Sequence, residues 1–395
     1  MTKFGLDLFL ENTPRELSGK RIGVLCHAAS ITNRFTHILD EIIKLPQLTL
    51  GAIFGPQHGL FGQTQDNMVE WEGGQIHPLY NAPVYSLYGA NRKPSPAMLK
   101  HIDALVVDLQ DVGARPYTYI WTIKLCIEAC AELSIPLYIL DRPNPIAAIG
   151  FDGPLIDPEF FSFVGGAQIP LCHRLTIGEI SMLIQKSYHP KATLHVVWMQ
   201  QWWRNSLWNE TRLPWVLPSP NMPTLDTAIV YPGQVLIEAT NLSEGRGTTR
   251  PFELFGAPYL RLDSFKKYLN AFRLPGCFFR EHGFIPTFQK WQGQYCPGMQ
   301  IHVSQPRLFK PVATSVAIFK GALQNSNNEF AFKPPPYEYE TIKMPFDILA
   351  GSTELRTQLQ SNAGLNTILE SWQADHEKFG PVFKAIAHYP EEFSW

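Results

Sequence analysis

Through the first half of the chain, short continuous apolar runs alternate with stretches whose apolar positions recur every three or four residues. Arg21–Cys26 (RIGVLC), Leu48–Phe54 (LTLGAIF), Asp103–Leu109 (DALVVDL), Pro136–Leu140 (PLYIL) and Leu194–Trp198 (LHVVW) read as buried strands. Phe35–Leu45, Tyr119–Leu133 and Thr176–Ser187 read as helices between them. Fully apolar strands separated by helices predict βαβ units. The expected fold is therefore α/β, a doubly wound, mostly parallel sheet covered on both faces.

From about Asp226 the texture changes. TAIVYPGQVLIEATN reads as two short strands around a Pro-Gly turn, and GRGTTRPFELFGAPYL as loop. FIPTF and MQIHV are strand-like, and helical runs follow near Val312–Leu323, Pro345–Ala350 and Thr367–Phe379. Pro334–Glu340 (PPPYEYE) reads as a rigid connector or extended edge. These features predict a smaller α+β domain over residues 226–395 after a first domain over 1–225, with no internal repeat.

The 395 residues are 45% hydrophobic and 17% charged, an ordinary globular balance whose length suits two domains. A formal charge of −2 gives no electrostatic case for nucleic acid or an anionic membrane. The six cysteines are scattered without a CxxC pair and read as buried thiols. Neither they nor the acidic residues cluster like metal ligands, so no metal is expected. The opening MTKFGLDLFLENTPRELSG lacks a long apolar stretch, and no run approaches the ~20 apolar residues of a membrane span. The expectation is a soluble cytoplasmic protein, or a periplasmic one if an export signal has been removed. Its oligomeric state is not legible.

GxxxxGK[ST], HExxH and GxSxG are absent, and CHAAS stands after the first strand where a dinucleotide fold would carry GxGxxG. The polar segments that follow the strands carry the candidate chemistry instead. In open parallel sheets the ligand crevice lies beyond the carboxyl ends of the strands. Gly55–Glu70 brings Gln57, His58, Asp66 and Glu70 on a glycine-punctuated loop. Asp108–Trp121 brings Asp108, Asp111, Arg115, Tyr117 and Tyr119, a mixture of carboxylates, guanidinium and aromatic rings that suits a sugar; an internal Asp–Arg pair with helix capping by Thr118 is the structural alternative. Leu140–Ile146 brings Asp141, Arg142 and Asn144, as ligand contacts or as a turn. Thr240–Glu253 brings Asn241, Glu244, Arg246, Thr248 and Thr249, suited to a carboxylate or sugar ligand, or to a polar clamp between domains. The Trp-rich run Val196–Trp208 and the solitary His173 and His302 read as packing residues.

Glycoside hydrolysis needs two carboxyl groups, one to protonate the leaving oxygen and one to attack or activate water. Asp66, Glu70, Asp108, Asp111, Asp141 and Glu244 are all on offer, and sequence alone does not select a pair.

These segments are also where the chain resembles a known family. GLDLFLEN…GKRIGVLCHAAS, GPQHGLFG…QDN, PVYSLYG, DLQDVGARPYTYIWT, LDRPNPI, LTIGEIS, SPNMPTLDTAIVYPG, TNLSEGRGTTRPFELFGAPY and YCPGMQIHV resemble, in order, signatures of the NamZ (DUF1343) family. The resemblance implies a Rossmann-like first domain, a smaller second domain, an active-site cleft between them, and cofactor-free exo-β-N-acetylmuramidase activity. The substrate would be a muropeptide or another peptidoglycan-derived sugar, cleaved at its non-reducing end during cell-wall turnover or recycling. The lactyl carboxylate of N-acetylmuramic acid would pair with Arg115, Arg142 or Arg246.

Two positions depart from the family pattern: Gln57 stands where many members have glutamate, a leading catalytic candidate, and Asp152 where glutamate is frequent. An amide cannot donate an acid proton, though it can orient water or hold an N-acetyl group. Either Asp66, Glu70 or another carboxylate takes the role, or the chain hydrolyses a different cell-wall bond, or it binds muropeptides without turnover.

Overall fold

The computed structural model describes residues 2–62, 64–65 and 73–392. Among them the strands are β1 (Lys20–Cys26), β2 (Leu48–Gly55), β3 (Val84–Ser86), β4 (Ala104–Asp108), β5 (Leu137–Leu140), β6 (Asp152–Leu155), β7 (Pro170–Cys172), β8 (Leu194–Val197), β9 (Leu254–Gly256), β10 (Cys277–Glu281) and β11 (Gly298–Val303). Six form one sheet in the order β3-β2-β1-β4-β5-β8, and every pairing in it is parallel. The five strands read from the sequence are all present; β3, three residues long, carries too little pattern to be read.

The side chains of the strands divide between two cores as a period-two alternation requires. Ile22, Val24, Ala104, Val106 and Leu140 pack with Phe4, Leu6, Phe9, Ile38 and Leu39 on one face. Leu25, Leu105, Val107 and Ile139 face the other way, into a cluster built on helix Tyr119–Glu132. That second cluster continues into the C-terminal half through Val316, Phe319, Ile348 and Phe379, so the two halves share apolar packing. The sheet is thus buried on both faces, and its strands read as unbroken apolar runs for that reason.

The smaller domain holds a three-stranded antiparallel sheet, β10-β11-β9, beside helices Leu262–Ala271 and Pro311–Asn325. The segment expected to form two strands around Pro232-Gly233 is instead helix Leu225–Gln234, followed by a 3-10 turn over Val235–Ala239. Thr224 caps the helix by accepting from the Thr227 amide at 3.2 Å. Gly233 serves close approach and not a turn: a Cβ there would collide with the Pro311 carbonyl of the neighbouring helix. FIPTF forms no strand, only a bridge between Phe284 and Cys296, whereas MQIHV lies within β11 as expected. The run near Thr367–Phe379 divides into two helices, Leu365–Ser371 and Gln373–Ile386.

The C-terminal segment folds back onto the sheet domain. Buried Glu179 pairs with buried Arg204 at 2.5 Å and accepts from the His388 amide at 2.7 Å. Trp202 and Trp208 are buried, in keeping with a packing role for the Trp-rich run, and all six cysteines are buried free thiols. No helix among the described residues is long and apolar enough to cross a membrane, and no group of three or more potential metal ligands is found among them.

Candidate active site

The strand order reverses between β1 and β4, which places a crevice beyond their carboxyl ends. A cleft of about 450 Å³ opens on that edge. The loop after β2 supplies Gln57 and His58, and the loop after β4 supplies Pro116, Tyr117, Thr118 and Tyr119. Ser219, Asn221 and Met222 line it as well. The opposite wall comes from the C-terminal half: Tyr231, Glu238, Arg246, Phe252, Tyr337 and Glu338.

Among the described residues two carboxyl groups, Glu238 and Glu338, line this space, and neither is among the residues singled out from the sequence. Glu238 lies on the 3-10 turn that ends helix Leu225–Gln234; its Oε1 accepts from Arg246 Nη2 at 2.6 Å and its Oε2 from the Tyr337 hydroxyl at 2.7 Å. Glu338 comes from the proline-rich segment read as a connector. Its Oε2 accepts from the Tyr88 hydroxyl at 3.2 Å, and it is hydrogen-bonded to the Gln57 side chain. Burial, reinforced by the nearby charge of Glu238, raises its pKa to about 7, against the bonds from Tyr88 and Gln57. A carboxyl poised there can hold a proton near neutrality and release it to a leaving group.

Gln57 is therefore built into the site as a clamp. Its Oε1 accepts from the Thr118 hydroxyl at 2.6 Å while it bonds Glu338. Thr118 stands at the N-cap of helix Tyr119–Glu132 but makes no capping bond with its side chain, since the hydroxyl is committed to Gln57. His58, with a left-handed φ of 71°, directs Nδ1 at the Thr64 carbonyl at 2.8 Å. That carbonyl requires a proton on Nδ1, which leaves Nε2 as an acceptor. Burial, with Arg246 adding to it, lowers its pKa to about 4, so the ring is neutral at pH 7.

Arg246 is buried on the cleft wall between Glu238 and Glu244, with its Nε 3.4 Å from Glu244 Oε1. Its Nη1 is buried and has no hydrogen-bond partner among the described residues. A guanidinium with a donor to spare, at the edge of a cleft, suits an anionic ligand group. Glu244 itself is bound 2.6 Å from Lys290 Nζ, behind this wall.

Among the described residues, the others singled out from the sequence do not line the cleft. Arg115 is fully buried and directs its Nη atoms at four main-chain carbonyls, Pro154, Ile169, Leu349 and Ala350, which stitch the two halves together. Arg142 is bound to Asp108 through Nε and Nη2 at 2.5 and 2.7 Å. Asp141 accepts from Thr176, the Gly178 amide and Tyr389, anchoring a helix start and the C-terminal segment. Asn144 spans a turn between the Ile146 amide and the Leu175 carbonyl. Asn241 joins Tyr259, Ala331 and Glu329. Thr248 closes a turn on the Gly245 carbonyl and Thr249 is exposed. Asp152, on β6, caps helix Pro311–Asn325 through the Val312 amide at 2.7 Å. Asp111 is buried, with Oδ2 on the Gly113 amide and Oδ1 without a partner among the described residues. Asp66 and Glu70 lie outside the described residues.

The signal for Glu238 and Glu338 was present but weak. Glu238 stands two residues before the TNLSEGRG loop, and Glu338 sits just after three prolines that restrict the backbone. Only the fold brings them, 100 residues apart in sequence, to the same space as Gln57.

Comparison with known proteins agrees with this architecture. Two crystal structures of DUF1343 family proteins from Bacteroides fragilis superpose with TM-scores of 0.85 and 0.76, at 28% and 26% identity. They cover 98% and 99% of this chain and 99% and 100% of their own. The peptidoglycan β-N-acetylmuramidase NamZ of Bacillus subtilis is 40% identical over 385 residues, 98% of this chain and 91% of that protein. The profile of the exo-β-N-acetylmuramidase NamZ N-terminal domain matches residues 22–226, and that of the C-terminal domain matches residues 229–389. The chain belongs to the NamZ family of exo-β-N-acetylmuramidases.

Proposed function

We propose that this protein hydrolyses the β-glycosidic bond of N-acetylmuramic acid at the non-reducing end of peptidoglycan fragments, in cell-wall turnover or recycling. The observation that carries the reading is the pair Glu238 and Glu338 on one wall of a cleft that also presents a spare guanidinium donor from Arg246. Glu338 gives its proton to the glycosidic oxygen as the C1–O bond breaks. Glu238 is the second carboxyl, attacking C1 or taking a proton from the attacking water. Arg246 Nη1 receives the lactyl carboxylate, the group that distinguishes this sugar from N-acetylglucosamine. Tyr117, Tyr119 and Tyr231 supply ring surface for the sugar, and His58 Nε2 accepts from a hydroxyl or amide. Glu338 meets the demand that Gln57 cannot, so the amide at position 57 does not remove the acid.

The test is hydrolysis of a chromogenic β-glycoside of N-acetylmuramic acid beside its N-acetylglucosamine counterpart, with wild type, Glu338→Gln and Glu238→Gln. Selective turnover of the muramyl compound, lost roughly 10²–10⁴-fold in each variant, is the expected result. Tight binding of the muramyl compound with no turnover by wild type would mean a muropeptide-binding protein and would reject the catalytic assignment.

A further inference from the structure

A second concavity lies beside the cleft, on the Glu338 side. It is an open groove of about 970 Å³, and Arg92, Phe163, Trp121 and Lys124 are among its lining residues. Two links tie the spaces together: Val164 lines the cleft and its neighbour Phe163 the groove, and Tyr339, which follows Glu338 of the cleft, meets Phe163 of the groove. Tyr339 is 41% exposed and touches both Phe163 and Tyr88, the tyrosine that donates to Glu338.

The cations of this groove differ in how they are used. Lys93 is bound by Glu128 and Glu132 at 2.7 Å each. Lys124 donates to the Gly166 carbonyl at 2.5 Å. Arg92 makes neither a hydrogen bond nor an ion pair among the described residues. Its guanidinium is held 4.0 Å over the Tyr339 ring and 5.8 Å from the centre of Phe163. Ring faces orient such a cation without consuming its donors, which remain free for a planar anion.

We infer that this groove binds the departing part of the substrate, the glycan chain beyond the scissile bond, and that Arg92 pairs with a carboxylate carried by that chain. The inference rests on Glu338 as the proton donor. A general acid stands beside the leaving oxygen, so the leaving chain must run out on its side of the cleft. Peptidoglycan alternates its two sugars, so a muramyl residue recurs two positions along. It brings a carboxylate, either from its lactyl group or from a peptide stem attached there. The exposed Tyr339 ring offers a stacking face for a sugar between the cleft and Arg92.

The experiment compares kcat/KM for two substrates in wild type, Arg92→Glu and Arg92→Lys. One is the chromogenic monosaccharide glycoside, which does not reach the groove. The other is a peptide-free tetrasaccharide with N-acetylmuramic acid at its non-reducing end. Arg92→Glu should lower kcat/KM for the tetrasaccharide roughly tenfold, mainly through KM, and leave the monosaccharide unchanged; Arg92→Lys should recover part of the loss. A tetrasaccharide carrying peptide stems separates the two sources of carboxylate. A larger loss on it assigns the stem; an effect confined to the bare glycan assigns the lactyl group. An equal effect of Arg92→Glu on monosaccharide and tetrasaccharide, or none on either tetrasaccharide, overturns the proposal. If wild type turns over neither substrate, the hydrolase reading fails. Calorimetric titration of the tetrasaccharides into wild type and Arg92→Glu then decides the groove separately, with unchanged affinity counting against it.

Discussion

The Tyr88 hydroxyl donates to Glu338 Oε2 at 3.2 Å, joining the loop after β3 to a proline-rich segment 250 residues later in the chain. The bond favours the charged carboxylate and so works against the burial that holds the Glu338 proton near pH 7. Tyr88→Phe removes it. The acid then stays protonated to higher pH, and the alkaline limb of the kcat/KM profile moves up. Gln57→Glu moves the limb in the same direction, because a second carboxyl beside Glu338 disfavours its ionisation. A pH–rate profile of both variants that matches wild type would show that Glu338 does not set this limb.

Arg246 and Arg115 should separate binding from folding. Arg246→Lys removes the spare Nη1 donor at the cleft and is expected to reduce the preference for the muramyl over the glucosaminyl substrate by about tenfold or more. Arg115→Lys leaves most of its four carbonyls without donors, so it should lower thermal stability and leave the sugar preference of the folded fraction intact. Melting temperature and the two kcat/KM values, measured on each variant, check both outcomes.

Asp111 makes stability depend on pH. Burial raises its pKa from an ordinary value of 3.8 to about 7. Between those values the folded state binds the proton more than the unfolded state does. The contribution of Asp111 is complete below pH 3.8 and is lost as pH rises through about 7. Asp111→Asn cancels this dependence. Relative to wild type the variant should gain on the order of 1 kcal/mol per pH unit across the window. Urea unfolding at several pH values measures the difference, and a constant offset would reject the assignment.

Glu179 and Arg204 form a fully buried pair that also holds the His388 amide. Glu179→Ala leaves the buried guanidinium with the half-exposed Glu391 carboxylate 3.7 Å away in place of its buried partner, and should cost about 3–5 kcal/mol. Chemical denaturation checks the magnitude. Protease sensitivity at the C-terminal segment, seen before global unfolding, checks that this pair is its anchor.

The sequence by itself determined the strands of the main sheet, the α/β class and the loops at its carboxyl edge. The reason is local: a strand buried on both faces must be apolar at every position, and polar loops must follow it. β1, β2, β4, β5 and β8 were legible in that way. Family membership was legible too, because long motifs survive in order. What the tertiary structure alone decided was which polar side chains meet. Arg115 and Arg142 look like ligand residues in a sequence, yet carbonyls and Asp108 from distant segments take up their donors. Gly233 looks like a turn until a second helix lies against it. Glu238 and Glu338 share a cleft with Gln57 because the C-terminal half packs across the sheet edge, a long-range contact on which local pattern is silent.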